Sequence, residues 1–390
     1  MEDQQPVCRV VDATTVPDGG PAQLVVTHLP RAPEIAEKIA AARGVVHRSE
    51  PDRLDVLAGP DRLVDAAGRV GGAALAEPLR AVVDPAVAGW LHGPADVTTP
   101  VGTLPTGKRP VVVAVVNVTP DSFSDGGAAY DPDDHPAAAV RAAMAAWEAG
   151  ADVLDVGGES TRPGARPVAV DDELGRVLPV VEALAGAGAV VSIDTTKAAV
   201  ARAAVEAGAA IVNDVSSGSL DPDLWDAVVD LGVPYVLTHL RGEPRTMQRD
   251  PHYADVLTEV FDHLALRARE LIARGLPADR LIVDPGIGFG KRLEHNLALL
   301  QATRQLTSLG HPVMIGASRK TLIGTLTGVE DPTDRHDGSV AAASVAVAAG
   351  ARLVRVHDVS ATVRAVRVAH AMTTAQAPDD AAAGVAGDRS

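Results

Sequence analysis

Between Val111 and Val356 the chain alternates short apolar runs with longer Ala-rich stretches of helical period. The runs are Val111–Val116, Val153–Val156, Val190–Ile193, Ala210–Val212, Tyr235–Leu237, Leu281–Val283, Val313–Ile315 and Leu353–Val356. Each is short, continuous and rich in Val, Ile or Leu, as a strand covered on both faces should be. Between them, His135–Ala149, Asp171–Ala185, Lys197–Ala207, Asp255–Ala273 and Glu294–Leu309 read as helices. Eight such units predict an α/β fold closed as a (β/α)8 TIM barrel. The alternative is an open doubly wound sheet, which normally carries a glycine fingerprint after its first strand. None follows Val116, and GIGFG at Gly286–Gly290 comes after the sixth run with the wrong spacing.

The flanks read differently. Residues 1–95 mix apolar runs (QLVVTHL, VVHRS, RLDVLAG) with a helical stretch from Pro33 to Arg43, and suggest a small N-terminal α/β appendage without a chemical motif. The barrel domain is expected over 97–372, followed by a disordered Ala/Gly/Asp/Pro tail over 373–390. Aromatic residues make up only 2% of the chain, so Ala, Val, Leu and Ile must build the core. A net charge of −16 argues against nucleic acid or an acidic membrane as partner. Screening acts over about 8 Å, however, so a local cationic pocket for a small anion remains open. Cys8 is the only cysteine, which excludes an internal disulfide, a CxxC redox pair and a cysteine zinc site. The acidic opening MEDQQPVCRV lacks a signal-peptide core, and Val340–Gly350 is too short to span a bilayer. A soluble cytoplasmic protein is the expectation.

In such barrels the active site lies at the C-terminal ends of the strands. There the sequence places Asn117, Asp155, Asp194, Asn213 with Asp214, His239, Asp284, the GASRK segment with Ser318, Arg319 and Lys320, and finally Arg355 and His357. Any one of these reads equally well as a helix cap or a satisfied buried polar residue. Polar groups at every strand end are harder to dismiss. The mix of acceptors, an amide and cations suits a flat heterocycle together with an oxyanion. There is no GxSxG and no usable Cys, and no Ser–His–Asp order stands out. The rim is suited to positioning reactants and stabilising charge. The first strand also runs straight into NVTPDSFSDGG, whose composition fits either a linker or a mobile loop closing over a reaction centre.

NVTPDSFSDGG, DVGGESTRPGA, SIDTTK, IVNDVSS, THLRGEPRTMQ, DPGIGFGK, GASRK and RVHDV, in this order and spacing, closely resemble the dihydropteroate synthases of folate biosynthesis, pterin-binding TIM-barrel enzymes. The resemblance spans about 97 to 372. It implies a transferase that condenses 6-hydroxymethyl-7,8-dihydropterin pyrophosphate with 4-aminobenzoate. The products are 7,8-dihydropteroate and pyrophosphate, and Mg2+ is the implied cofactor. It also implies roles. Asp194, Asn213, Asp284 and Lys320 would hold the pterin, and Asn117, Arg355 and His357 the pyrophosphate. Thr161, Arg162, Pro163, Phe289 and Ser318 would form the 4-aminobenzoate subsite, and Asn117 with Asp125 the metal site. Asp194, Lys320, Arg355 and His357 would be the catalytic set. NVTPDSFSDGG becomes a lid, with Gly126 and Gly127 as hinge and Pro120 and Phe123 as cover.

Two further readings stay open at this point. A folate-dependent methyltransferase on the same barrel would share Asp194, Asn213 and Asp284, but would not need the cationic clamp. A non-catalytic pterin-binding paralogue would be expected to show damage in the two loops, NVTPDSFSDGG and, after the second run, GGESTRPGA, and both are intact. Family relatives usually pair through helices at the C-terminal end, so a homodimer is expected.

Overall fold

The computed structural model describes residues 7–11, 23–27, 45–50, 53–57, 86, 89, 93–119, 135–160 and 167–374. Four strands, β1 (Val7–Val11), β2 (Gln23–Thr27), β3 (Val45–Glu50) and β4 (Arg53–Leu57), form an antiparallel sheet in the order β1-β2-β4-β3. Cys8 and Arg9 on β1 are buried where that strand meets the helices Val256–Ala273 and Thr303–Leu306. The helix expected at Pro33–Arg43 lies outside the described residues.

A hairpin of β5 (Val97–Thr99) and β6 (Gly102–Leu104) leads into the barrel. The barrel strands are β7 (Val111–Asn117), β8 (Val153–Gly157), β9 (Val191–Asp194), β10 (Ile211–Asp214), β11 (Tyr235–Thr238), β12 (Leu281–Asp284), β13 (Met314–Ile315) and β14 (Leu353–Val356). All eight lie parallel in the order β12-β11-β10-β9-β8-β7-β14-β13. A parallel bridge between Val283 and Val313 joins the two ends, so the sheet closes. The open-sheet alternative falls with that bridge.

Successive side chains of a strand point to opposite faces, and here the two faces feed two separate cores. Val112, Ala114, Val116, Leu154, Val156, Ile193, Val212 and Val354 pack outward under the helices. Val111, Val113, Val153, Ile211, Val236, Ile282, Met314 and Leu353 fill the lumen, and Val97 and Leu104 of the hairpin pack against their lower end. Fully burying such a side chain is worth about 1.5–3 kcal/mol. The same period of two explains the rim. One inward step beyond Val153, Ile211, Ile282 and Leu353 come Asp155, Asn213, Asp284 and Arg355. The lumen-facing rank turns from apolar to polar within a single step on several strands.

The helices match the sequence expectation in place. Val256–Ala273 starts at Asp255, whose carboxylate accepts from Leu257 N and Thr258 N at 3.1 Å. The stretch expected as one helix, Glu294–Leu309, is instead Leu293–Gln301, Thr303–Leu306 and a 3-10 turn Thr307–Leu309. The hydroxyls of Thr303 and Thr307 donate to carbonyls in the preceding turn, at 2.8 Å to Leu300 and 2.7 Å to Arg304. Such bonds compete with the regular ladder. The final helix, Val359–Thr374, runs two residues into the expected tail, with the Thr373 and Thr374 hydroxyls donating to the His370 carbonyl. No helix among the described residues is long and apolar enough to cross a membrane.

Candidate active site

Two acids meet one guanidinium at the C-terminal mouth, and an amide joins through one of them. Arg355 Nε donates to Asp155 Oδ2 and its Nη2 to Asp194 Oδ2, both at 2.6 Å. Asn213 Nδ2 donates to the same Asp155 oxygen at 2.9 Å. Asp155 and Asp194 are buried, at 1% and 9% exposure. Burial pushes the Asp194 carboxyl up to about 7, against the pull of Arg355 and with help from Asp155. For Arg355 burial opposes the charge, but Asp155 and Asp194 outweigh it and hold the guanidinium protonated. Asp194 is therefore no helix cap: the helix Ala198–Glu206 starts at Lys197, and it is the Thr195 hydroxyl that accepts from Lys197 N.

Asp284 stands beside this group, 5% exposed. Its Oδ1 accepts from Gly286 N at 2.7 Å, so one oxygen is spent on the turn that follows β12. The other oxygen faces the floor at Gly316, where a Cβ would lie 3.9 Å from Asp284 Oδ2 and 3.7 Å from Arg355 Cβ. A glycine there keeps the floor between the two clear. Burial raises the Asp284 carboxyl, and Lys320 is the first group to oppose it. Lys320 itself is brought down to about 8 by burial, against the pull of Asp284.

The Gly286–Gly290 turn is a packed platform. A Cβ on Gly286 would collide with the His239 carbonyl, and one on Gly290 with the Arg241 carbonyl; both glycines have positive φ, 69° and 63°. Lys320 Nζ donates to the Ile287 carbonyl and sits 4.2 Å from the centre of the Phe289 ring. Lys291 lies underneath, 3% exposed. Its Nζ is 3.0 Å from the Phe289 carbonyl, 3.3 Å from the His239 carbonyl and 2.9 Å from His239 Nδ1. Burial, aided by Lys291, lowers the His239 pKa well below its ordinary value, so the ring is neutral and its Nδ1 pairs with Lys291 Nζ. Burial lowers the Lys291 pKa well below its ordinary value too, with Asp284 opposing, and its Nζ sits among all three groups.

The last two strand ends are laced together. Ser318 Oγ lies 3.2 Å from His357 N and 3.1 Å from His357 Nδ1. Arg319 holds Asp358 through Nε and Nη2 at 3.2 and 2.7 Å. Arg319 has φ 59°, a left-handed backbone next to Lys320, fixed by bonds of its N to Ser339 Oγ and of its carbonyl to Arg335. Strain of this kind collects at functional sites. Asn117 ends β7, half-buried, in register with Gly157.

The described structure therefore brings Asn117, Asp194, Asn213, Asp284, Phe289, Ser318, Lys320, Arg355 and His357 to one end of one barrel. Asp125, Thr161, Arg162 and Pro163 lie outside the described residues, as do the lid residues Pro120 and Phe123. Asp214 is structural: it accepts from Ser216 N, Gly218 N and the Tyr235 hydroxyl, and Tyr235 in turn accepts from Trp225. Sequence reasoning named Asp155 only as a strand-end acid and overlooked Lys291. It also passed over buried Glu173, which binds Lys197 and the Thr195 hydroxyl, while Lys197 also binds Glu159 beside the second loop. The available signal was the inward period of two through Val153 and Asp155, and a lysine placed directly after a glycine-rich turn.

The pterin binding enzyme family matches residues 113–357. The chain belongs to that family. Within it, the dihydropteroate synthase of Escherichia coli is 44% identical over 270 residues, covering 69% of this chain and 94% of the relative. The Xanthomonas albilineans dihydropteroate synthase solved with 4-aminobenzoic acid is 48% identical with a TM-score of 0.64, covering 69% of this chain and 95% of that one. The Burkholderia cenocepacia dihydropteroate synthase complexed with 7,8-dihydropteroate is 43% identical with a TM-score of 0.64, covering 72% and 98%. The pterin-binding match begins inside β7, so the N-terminal sheet stands outside it.

Proposed function

We propose that this protein acts as a dihydropteroate synthase: the amine of 4-aminobenzoate attacks the exocyclic CH2 of dihydropterin pyrophosphate, the C–O bond breaks, and pyrophosphate leaves. The observation that carries the proposal is the joining of Asp155, Asp194, Asn213 and Arg355 at the same mouth as Asp284 and Lys320, in a chain of the pterin-binding family. Asp284 has a free oxygen edge for the ring N–H and amino groups, and Lys320 can donate to the ring carbonyl. Asp194 sits where a carboxylate would favour positive charge developing on the ring. His357 and Ser318, bonded to one another, would receive the leaving group. Arg355 spans both halves, because its Nε and Nη2 are committed to the acids. Phe289, fixed from below by Lys291, offers a flat apolar face to the aminobenzoate. The arylamine is neutral near pH 7, so no strong base is required before attack, and the missing nucleophile fits this chemistry.

Mg2+ is part of the proposal. Asn117 would supply an amide oxygen, a hard donor of the kind Mg2+ takes, with Asp125 as second ligand. Among the described residues no cluster of three or more His, Cys, Asp and Glu could hold a metal alone, so such an ion would depend on substrate oxygens. When bound it would neutralise charge on the departing pyrophosphate. We also propose a cytoplasmic homodimer. Val345, Val368 and Met372, 62%, 60% and 80% exposed on the last two helices, are apolar side chains such a contact would cover.

The direct test incubates the full-length protein with dihydropterin pyrophosphate, 4-aminobenzoate and Mg2+. Pyrophosphate release that requires aminobenzoate is expected; tight pterin binding with no such release would overturn the reading. Light scattering on the same sample reports the oligomeric state.

A further inference from the structure

Asp155 is buried under the candidate pterin site and has no ligand-contacting role in the reading above, on which this inference rests. It accepts from Asn213 Nδ2 at 2.9 Å and from Arg355 Nε at 2.6 Å, both on Oδ2. Its Oδ1 and the Oδ1 of Asn213 are buried, and neither has a hydrogen-bond partner among the described residues. Both residues line the small cavity on the barrel axis, with Ser192 and the apolar lumen residues Val153, Ile211 and Ile282. An acid held this deep, with one oxygen unpaired, is costly to retain for packing alone.

A carboxylate can only accept, so Asn213 has to turn its NH2 toward Asp155. The Asn213 carbonyl oxygen is then forced to the opposite side, as a buried acceptor with no partner among the described residues, which a ring edge entering from the mouth would have to reach. We propose that Asp155 is a positioning residue that sets the hydrogen-bond polarity of the pocket. By fixing the Asn213 amide it makes the pocket present acceptors, Asn213 Oδ1 and the Asp284 carboxylate, to a ring edge bearing donors. A 2-amino group carries two N–H bonds. Asp284 takes one, and Asn213 takes the other. The same Asp155 oxygen aims the Arg355 guanidinium, so ring selection and the cationic half of the site share one support.

The competing account makes Asp155 a structural ion pair linking β8 to β14. The two accounts part on ligand selection. In Asp155→Asn the side chain keeps its size but can offer either an oxygen or an NH2, so Asn213 is free to flip. The full-length protein and the variant are titrated calorimetrically with 6-hydroxymethylpterin and with its 2-oxo counterpart, 6-hydroxymethyllumazine. The preference for the 2-amino ring should fall at least tenfold in D155N, on the scale of one hydrogen bond to a charged network. Asp155→Glu, still an acceptor only, should keep the preference within threefold of the parent. In an Asn213→Ala background, D155N should change the preference by less than threefold. A D155N preference within threefold of the parent, with a lowered melting temperature, would overturn the proposal in favour of the ion pair. Should D155N not fold, Asp155→Ser, which can also donate, carries the same expectation. If the parent protein binds neither ring, the pterin reading itself fails, and that outcome is distinct from a bound but unaltered preference.

Discussion

Asp284→Asn is the substitution with the clearest expected size. The native carboxylate uses Oδ1 to accept from Gly286 N at 2.7 Å, and its second oxygen is turned to the open floor above Gly316. A pterin would meet it with a ring N–H and an amino N–H. Each bond to an ionised acceptor contributes about 1.5–3 kcal/mol, and Asn keeps one neutral acceptor of the same shape. The loss is therefore about one charge-assisted bond, or roughly 10–100-fold in Kd. Asp284→Ala should cost more, because it also leaves the Gly286 N–H without its acceptor. Stability should move the other way. Burial raises the Asp284 carboxyl, so its charge is carried at a cost in the empty site, and D284N should melt no lower than the parent. The assay is calorimetric titration with 6-hydroxymethylpterin, with the KM for 4-aminobenzoate as internal control. A pterin Kd within threefold of the parent, or an equal loss for both substrates, would refute the assignment.

Other outcomes test the remaining parts. Arg355→Ala should lower kcat by about 10²–10³-fold if its contact strengthens as charge develops. It should also destabilise by about 3–5 kcal/mol, since two buried acids lose their partner; unaltered kcat and unaltered melting would contradict both. The kcat/KM profile should rise through about 7 as Asp194 ionises and fall through about 8 as Lys320 loses its proton. Asp194→Asn should abolish the acidic limb only. The linked stability has a definite sign. A carboxyl raised from 3.8 to about 7 binds its proton more tightly in the fold, so between those values stability falls as pH rises, by about 1.4 kcal/mol per unit. D194N should remove that slope, and a slope that persists in D194N would exclude Asp194 as its source. Lys291→Met should raise the KM for 4-aminobenzoate about tenfold by freeing the Phe289 and His239 carbonyls, with a smaller effect on pterin Kd; an unchanged KM would rule out the platform role.

The barrel was legible because its strands are covered on both sides and read as unbroken apolar runs, and because the helices between them keep their period. What the pattern could not carry was any contact across the barrel. Asp155 and Arg355 are 200 residues apart, and nothing local marks them as partners. Asp214 and Asp194 look alike as strand-end acids, yet one is consumed by backbone N–H groups and a tyrosine while the other faces a guanidinium. The break after Gln301 was equally hidden, since it depends on where two threonine hydroxyls find their acceptors. In the sequence the glycine-rich turn after β12 fits no nucleotide fingerprint and stands out only as a family motif. Gly286 and Gly290 are there because the β11 loop carbonyls leave no room for a side chain, and Gly288 lies against the Lys320 stem.

Charge around the mouth is partly sorted by strand. Asp155, Asp194, Asn213 and Asp214 stand on β8, β9 and β10, whereas Arg319, Lys320, Arg355 and His357 follow or lie on β13 and β14, with Asp284 of β12 beside Lys320 and Asp358 paired to Arg319. A chain of net charge −16 can therefore still offer a cationic face to a pyrophosphate, because distant surface acids are screened beyond about 8 Å and the local cations are not. The same sorting suits a bond that breaks unevenly. As the C–O bond lengthens, positive charge grows on the ring next to the acids and negative charge grows on the leaving group next to the cations. On the proposed roles both interactions would be stronger in the transition state than in the bound substrate, which is the condition for raising kcat rather than only tightening binding. Arg355 holds the two halves in register: paired to Asp155 and Asp194, it keeps the acid side from being overwhelmingly negative while leaving it able to stabilise a cation. A site built this way needs no nucleophile. Its weak point is the neutral amide of Asn213, whose orientation depends wholly on the acid behind it.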